Sequence, residues 1–149
     1  MHESFMKEAL KEAKKAYQKN DVPVGCVAVK NGKIIARAHN LRESTNDPTA
    51  HAEILCLKKA AKKQKWWVLK DVDIYVTLEP CPMCTAAIMQ ARARTIIYGA
   101  DNLLWGACSK KIKLVDKKIF QHKIKIVKNV LPKESSTLLK KFFKKVRKK

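Results

Sequence analysis

Hydrophobic and polar positions follow two different periods in the first third of the chain. Apolar residues at spacings of three and four, with lysine and glutamate between them, predict an amphipathic helix over residues 3–19. Two short apolar runs, 23–29 and 33–36, flank Asn31-Gly32, a dipeptide that strongly favours a two-residue hairpin turn. This part of the chain therefore predicts one helix followed by two antiparallel strands.

The middle of the chain predicts helices and strands in alternation. Asp47 and Pro48 supply a cap and a first-turn proline, so we expect a helix that starts there and runs through His51 to residue 61. A strand, a helix and a second strand are predicted next, at residues 73–78, 85–93 and 95–99. Because a strand-helix-strand unit joins parallel strands by a right-handed crossover, the sheet is expected to be mixed.

The last third of the chain carries a weaker pattern. It predicts a loop over 100–109, helical turns over 112–120, a strand at 123–127 and a final helix over 132–147. The sequence shows no internal repeat, linker or second domain. Residues 1–149 are therefore expected to form one α/β domain, a mixed sheet of five strands flanked by helices.

Net charge adds information about partners. Lys and Arg number 33 against 13 Asp and Glu, which leaves +20, and only five of the cations are arginines. Residues 110–149 alone hold 15 Lys and one Arg against two acidic residues, a net charge of +14. A net positive charge of this size favours an acidic partner. Lysine is better suited to contact with phosphates than to hydrogen bonding with the edges of bases. A genome-wide lysine bias from AT-rich codons is the alternative source of the excess.

The sequence does not fit a membrane protein or a disulfide-rich protein. No stretch approaches the roughly 18 apolar residues of a membrane span, and residues 1–15 do not resemble a signal peptide. A cytoplasmic protein without a membrane partner is therefore expected. Five cysteines, an odd number without an export signal, argue against a disulfide framework and leave metal binding or core packing. Core packing is the expectation for Cys26 and Cys56.

One group of residues has the spacing of a metal site. His51 lies 30 positions before Cys81, which begins a Cys-Pro-Met-Cys segment ending at Cys84. Catalytic zinc keeps three protein ligands and leaves a fourth position for water, whereas structural zinc is closed by four. Two cysteines three apart at a helix start can face one point as thiolates. The sequence therefore predicts a catalytic zinc held by His51, Cys81 and Cys84.

A carboxylate follows the histidine by two positions. Positions i and i+2 of a helix point apart, so Glu53 is poorly placed to chelate the same ion as His51. It is better placed beside the water, where it can take a proton and deliver it to a substrate nitrogen. Glu79 is the competing acid, but it precedes a proline at a strand end, where a structural role is expected. We therefore predict Glu53 as the catalytic proton carrier.

These motifs resemble the zinc nucleobase deaminases, whose signature is H-x-E followed by P-C-x-x-C. The fuller segments 22–25, 47–54 and 76–84 resemble the bacterial tRNA-specific adenosine deaminases, and the resemblance extends over roughly residues 3–147. It implies a three-layer α/β/α, cytidine-deaminase-like fold, one zinc ion per subunit and a homodimer. It also implies conversion of adenosine to inosine at the wobble position of a tRNA, with the anticodon stem-loop as partner.

The resemblance further implies substrate contacts. Asn40 and the backbone amide of Ala52 would hydrogen-bond the flipped base, and Asn102 would contact flanking nucleotides. The C-terminal helix would meet the anticodon loop through Phe143, Lys144 and Arg147. The loop at 99–106 departs from the family, whose members commonly carry an aspartate at the position of Asn102, with a lysine and more glycine after it.

Two other functions stay open. The same zinc motifs would serve a deaminase of guanine or of a cytosine nucleoside, although a free base needs no basic surface. A non-catalytic RNA-binding subunit would have no need of Glu53. Trp66 and Trp67 allow two interpretations, either an exposed pair that stacks on RNA or a dimer or core contact, and Cys108 has no predicted role.

Overall fold

The described residues, 1–108 and 113–147 in the computed structural model, form five helices, five strands and two short 3-10 turns. The helices are α1 (His2–Gln18), α2 (Arg42–Thr45), α3 (Ala52–Gln64), α4 (Pro82–Gln90) and α5 (Pro132–Arg147). The strands are β1 (Gly25–Lys30), β2 (Lys33–His39), β3 (Val72–Leu78), β4 (Thr95–Ala100) and β5 (Lys125–Val127). The 3-10 turns cover Leu114–Asp116 and Lys118–Phe120.

The strands form one mixed sheet in the order β2-β1-β3-β4-β5. β1 is antiparallel to both β2 and β3, whereas β3, β4 and β5 run parallel. Asn31 and Gly32 join β1 to β2 with φ angles of 53° and 74°, the left-handed pair that a type I′ hairpin turn requires. The predicted hairpin, parallel pair and mixed sheet are thus confirmed.

Helices cover both faces of the sheet and give the predicted three layers. Along β1, Cys26 and Ala28 point into a core shared with α3 and α4. The alternate residues Val27 and Val29 point to the other face, into a core shared with α1. α5 lies on the same face as α1 and contacts β4 and β3. Period-two burial on a central strand therefore explains why both faces need a helical cover.

Thr77 ties three elements together within this sheet. Its hydroxyl accepts a hydrogen bond from the N–H of Gly25 at 3.1 Å, and its carbonyl accepts one from the hydroxyl of Ser135 in α5. Gly25 has no room for a side chain, because a Cβ there would lie 1.9 Å from the carbonyl oxygen of Ala9 in α1. β3 therefore holds α5, and β1 allows the close approach of α1.

The helix that follows the first predicted ligand begins later than the sequence suggested. His51 is the N-cap of α3 and Ala52 is its first helical residue, so the expected start at Asp47 and Pro48 is wrong. Asp47 instead accepts hydrogen bonds from the backbone N–H and the hydroxyl of Thr49, at 2.8 and 2.7 Å. A side chain that can cap a helix can equally close a local turn, and here it does the latter.

Smaller differences lie toward the C-terminus. Pro82 opens α4 three residues before the predicted start, because proline suits the first helical position. The turns predicted over 112–120 are two 3-10 segments, and β5 is shorter than the predicted strand at 123–127. Ser109 and Ile112, at the edges of these predictions, lie outside the described residues. The final helix has the predicted bounds.

Candidate metal centre and active site

Two helix starts bring the predicted zinc ligands together. His51 is the N-cap of α3, Cys81 is the N-cap of α4, and Cys84 lies in the first turn of α4. The Nδ1 atom of His51 lies 3.7 Å from the Sγ atom of Cys81 and 3.4 Å from that of Cys84. Tetrahedral zinc, with bonds of about 2.1 Å to nitrogen and about 2.3 Å to sulfur, separates such atoms by about 3.6 Å. The spacing therefore fits one zinc ion.

The electrostatics of this group favour a thiolate. A hydrogen bond from Cys84 lowers the pKa of the Cys81 thiol to about 4, and His51 adds to this against the opposing effect of burial. The same contact with Cys81, together with burial, raises the pKa of Cys84. Both sulfurs lie at the start of α4, where the helix dipole favours negative charge. Metal binding releases the protons that remain on the ligands.

Glu53 is buried beside this group. Its side chain is on the first turn of α3, only 4% exposed, and it is not one of the three clustered ligand atoms. Burial raises the pKa of its carboxyl group to about 7, and the nearby charge of Cys81 acts in the same direction. A carboxyl group that gains and loses its proton near neutral pH has the property that a general acid and base needs.

A cavity of about 800 Å³ opens onto this centre. It is of the size that holds small organic ligands. Its wall includes six of the residues predicted from the sequence, which are Asn40, His51, Glu53, Cys81, Asn102 and Phe143. Lys144 and Arg147 are exposed on α5 and are not part of the wall. Cys84 and Ala52 are buried and are not part of the wall either. The cavity therefore brings Glu53 and two predicted zinc ligands together with Asn40, and leaves the predicted basic contacts of α5 outside.

Asn40 and Ala52 contact each other at the edge of the cavity. The Oδ1 atom of Asn40 accepts a hydrogen bond from the N–H of Ala52 at 2.7 Å. Because the side-chain oxygen faces this N–H, the amide nitrogen of Asn40 faces away from it. The Ala52 amide is thus engaged with Asn40 in this structure, and its contact with the base stays a prediction.

Glu79 organises the loop that follows β4. Its carboxylate accepts hydrogen bonds from the N–H groups of Asn102, at 3.1 Å, and Cys108, at 3.0 Å. This agrees with the structural role expected for Glu79. Asn102 is turned toward the same loop, where its Oδ1 atom accepts the N–H of Trp105 at 3.0 Å. Asn102 therefore shapes the loop, and its contact with nucleotides stays a prediction.

Sequence reasoning missed the apolar part of the cavity wall. Leu103, Leu104 and Trp105 line it from the loop after β4, and Leu139 lines it from α5. Three consecutive large apolar residues in a loop were the available signal. Such a run on a strand or helix would be expected to pack in the core. Only the position of these residues at the cavity indicates a functional role.

The other cysteines are buried. Cys26 and Cys56 belong to the core between the sheet and α3, as predicted. Cys108, which had no predicted role, lies against α4 with its Sγ atom 3.7 Å from the hydroxyl of Thr85. Burial raises the pKa of the Cys108 thiol to about 12, so it is uncharged at neutral pH. Among the described residues, these three thiols stand apart from the ligand group.

The zinc-ligand arrangement also occurs in known proteins. A family model described as the cytidine and deoxycytidylate deaminase zinc-binding region matches residues 1–100. The chain belongs to this deaminase family. The deaminase binds zinc, and His51, Cys81 and Cys84 are the described residues arranged to hold it. No helix in the described part of the deaminase is long and apolar enough to cross a membrane.

Individual relatives show which members of this family the chain is similar to. The deaminase is 45% identical over 147 residues to a tRNA-specific adenosine deaminase of Bacillus subtilis strain 168, covering 99% of this chain and 91% of the relative. A solved structure from studies of A-to-I editing by tRNA:A34 deaminases matches with a TM-score of 0.89 and 38% identity. That match covers 91% of this chain and 99% of the other.

A second solved structure matches a shorter part of the deaminase. It is a guanine deaminase from Bacillus subtilis, with a TM-score of 0.65 and 41% identity. The match covers 68% of this chain and 65% of the other. The tRNA-specific adenosine deaminase and the A34 deaminase structure match nearly the whole of both chains at 45% and 38% identity, and the predicted cytidine-deaminase-like α/β fold is confirmed.

Proposed function

We propose that the protein is a cytoplasmic, single-domain hydrolase that converts adenosine to inosine at the wobble position of a tRNA anticodon. One arrangement carries this conclusion: the buried Glu53 and two of the three clustered zinc ligands, His51 and Cys81, line one cavity of a size that can hold a nucleoside. The near-complete match to a tRNA-specific adenosine deaminase supports the choice of substrate.

The reaction replaces the exocyclic amine of adenine by oxygen. Water adds at C6, ammonia leaves, and inosine remains, so that adenosine and water give inosine and ammonia. Zinc, when bound, polarises water so that it is a nucleophile near neutral pH. Glu53 takes a proton from the water, delivers it to the neighbouring ring nitrogen and then assists the departing ammonia. Burial raises the pKa of the Glu53 carboxyl group, which favours its uptake of that proton.

Asn40 orients the base in this proposal. Its oxygen is held by Ala52, so its amide nitrogen remains as a donor at the cavity wall. The target base has to leave its stack before it can enter the cavity. Anticodon loops present unpaired bases, so extrusion costs less there than in a duplex.

The C-terminal helix would hold the RNA. α5 exposes Lys144 and Arg147 next to Phe143, which reaches the cavity wall. The net charge of +14 over residues 110–149 supports phosphate contact in this region. The anticodon arm would therefore lie across α5 while its extruded base points toward Glu53.

The decisive experiment offers three substrates to zinc-loaded protein. A tRNA with adenosine at the wobble position is incubated and sequenced, since inosine reads as G, with Glu53→Ala as the inactive control. Guanine and cytidine are assayed in parallel. Turnover of guanine or cytidine with the tRNA left unchanged would replace the proposal by a small-molecule deaminase. RNA binding without turnover of any substrate would indicate a non-catalytic subunit.

We also propose a homodimer. An apolar groove of about 660 Å³ lies between α3 and α4, and its wall includes Leu57, Trp67 and Ile119. Trp67 and Ile119 are 63% and 83% exposed, and clustered exposed apolar side chains mark interaction surfaces. A two-fold axis would let a second copy cover the groove with the same surface.

Sedimentation tests the dimer. It should give twice the 17.0 kDa chain mass, and Trp67→Lys should weaken the dimer. Wild-type protein that sediments as a monomer would contradict this.

A further inference from the structure

The loop after β4 exposes three large apolar side chains in succession. Leu103, Leu104 and Trp105 are 74%, 76% and 66% exposed. All three also line the cavity that contains His51 and Glu53. Single exposed apolar side chains are ordinary, but a contiguous group at the opening of an active-site cavity indicates a contact surface.

Hydrogen bonds hold this loop in one arrangement. Glu79 accepts the N–H of Asn102, the Oδ1 atom of Asn102 accepts the N–H of Trp105, and the Asn102 carbonyl accepts the N–H of Gly106 at 3.0 Å. A larger residue than glycine would not fit at position 106, because its Cβ would lie 2.5 Å from the Glu79 carboxylate. The apolar side chains are thus positioned before a ligand binds, which lowers the entropy cost of binding.

The surroundings of the loop limit what can cover it. Phe143 of α5 lines the same cavity, and the exposed cations Lys144 and Arg147 follow it on the helix. A second copy that met this surface across a two-fold axis would bring the same cations of α5 against each other, which is unfavourable. Unpaired RNA combines flat apolar base faces with phosphates, so it is complementary to both the loop and the cations.

We propose that Trp105, flanked by Leu103 and Leu104, is a stacking platform for the unpaired nucleotide next to the adenosine that enters the cavity. This inference rests on the proposed function, because it takes loop RNA as the substrate. When the target base is extruded, its neighbour loses a stacking partner, and the indole ring of Trp105 replaces that partner. Stacking uses a face that every base has, so the platform selects unpaired RNA over a free base without reading the neighbour's identity.

Trp105→Ala tests the platform, with Trp66→Ala as the matched control. Trp66 is 57% exposed and follows the C-terminal end of α3, a 13-residue helix that begins beside His51. It therefore lies about 20 Å from the zinc ligand. On an anticodon stem-loop, Trp105→Ala should lower kcat/KM roughly 5- to 150-fold, mainly through KM, as expected for one lost base-aromatic contact. Trp66→Ala should stay within about twofold of wild type. An equal loss in both variants would show that RNA stacks on exposed indoles in general and would overturn the assignment to Trp105.

Further variants separate stacking from structural effects. Trp105→Phe keeps an aromatic face and should recover most of the loss. Thermal unfolding of Trp105→Ala should match wild type, since the side chain is exposed. Stem-loops with an abasic residue on one side of the target remove the same contact from the RNA. Wild-type protein should lose affinity for one of the two, and Trp105→Ala should be insensitive to that change.

Affinity is measured by fluorescence anisotropy in a Glu53→Gln background, so that it does not depend on turnover. Equal stem-loop affinity and kcat/KM for Trp105→Ala and wild type would overturn the platform and leave the proposed function intact. If wild-type protein forms no inosine, the proposed function fails, while anisotropy still decides whether Trp105 contacts RNA. Loss of self-association in Trp105→Ala with unchanged RNA affinity would overturn the platform and assign the loop to a protein contact.

Discussion

The side-chain oxygen of Asn40 accepts the backbone N–H of Ala52 at 2.7 Å, which ties the residue after β2 to the first turn of α3. His51 and Glu53 flank Ala52 in the chain. This single contact therefore fixes the position of Asn40, in the cavity wall, relative to both a zinc ligand and the proposed proton carrier. It also leaves the Asn40 amide nitrogen as a donor for substrate.

Replacing Asn40 should separate these two roles. Asn40→Ala leaves the buried N–H of Ala52 without its acceptor, so we expect the free energy of unfolding to fall by about 1–3 kcal/mol and kcat/KM to fall with it. Asn40→Asp keeps an acceptor but removes the donor, and should retain more stability while losing comparable activity. Denaturant unfolding and stem-loop kinetics measure the two effects. Full activity in both variants would contradict the assigned base contact.

Glu53→Gln should separate zinc binding from turnover. We expect metal analysis to show wild-type zinc content, because Glu53 is not in the ligand group, while kcat falls about 10²- to 10⁴-fold with the loss of the proton carrier. Glu3→Gln, on an exposed position of α1, is the matched control and should change neither quantity. Zinc loss in Glu53→Gln would show that the carboxylate is a ligand instead.

Removing one thiol should remove the metal. Cys84→Ala leaves two of the three clustered ligands, so zinc content should drop well below one ion per chain and inosine formation should cease. A strong chelator should reproduce both effects in wild-type protein, and added zinc should reverse them only there. Cys56→Ala changes a buried thiol outside the cluster and should keep its zinc. Full zinc occupancy in Cys84→Ala would exclude Cys84 as a ligand.

Salt dependence should reveal the phosphate contacts of α5. Replacing Lys144 and Arg147 together by alanine should weaken stem-loop binding and lower the slope of log Kd against log salt by about 1–2, since each phosphate contact contributes about 0.7–0.9. Replacing Lys62 and Lys63, exposed near the C-terminal end of α3, makes the same change in charge elsewhere. A similar loss of slope in both double variants would mean that net charge, not α5, determines binding.

A buried carboxylate should make the stability of the fold depend on pH. Glu12 is 4% exposed at its side chain and contacts His39 at 2.9 Å and Lys15 at 2.7 Å. Burial alone would raise the pKa of Glu12, but these hydrogen bonds hold it below its usual value of 4.5. A lowered pKa stabilises the fold above the unfolded-state pKa, and this contribution disappears as pH falls through the folded-state pKa.

The variant Glu12→Gln should therefore be less stable than wild type at pH 7, and the difference should shrink as pH falls below the usual carboxyl pKa of 4.5. Denaturant unfolding across this range measures the difference. Glu43→Gln, an exposed change in α2, should leave a stability curve parallel to wild type. A stability difference for Glu12→Gln that stays constant throughout the acid range would show that the ion pairs are not responsible.

The two cysteine ligands were predictable because Cys81 and Cys84 lie at the start of one helix, where their spacing in sequence determines their spacing in space. His51 begins a different helix, and it was predicted from the chemistry of its residue type in the motif and not from local geometry. The hairpin, like the cysteine pair, was predictable from local geometry, since Asn31-Gly32 adopts the turn that joins its two strands. Short-range chemistry of this kind is visible in the sequence.

The orientation of Asn102 was not predictable, because it depends on contacts between distant positions. Glu79 reaches the N–H of Asn102 and that of Cys108, which are 23 and 29 positions away. The pattern of hydrophobic and polar positions contains no signal for a hydrogen bond between such distant residues. The predicted start of α3 was wrong for a related reason. Asp47 could either close a turn or cap a helix, and only the surrounding structure determines which of the two forms.

The carbonyl of Thr77 holds Ser135 of α5, and Cys81 follows Thr77 by only four positions. One end of a single strand thus supports both the helix proposed to hold the RNA backbone and a ligand of the metal. If α5 holds the RNA backbone as proposed, this strand fixes the distance from that backbone to the metal site. Only a nucleotide that extends this far from its own backbone would then reach the reacting atoms.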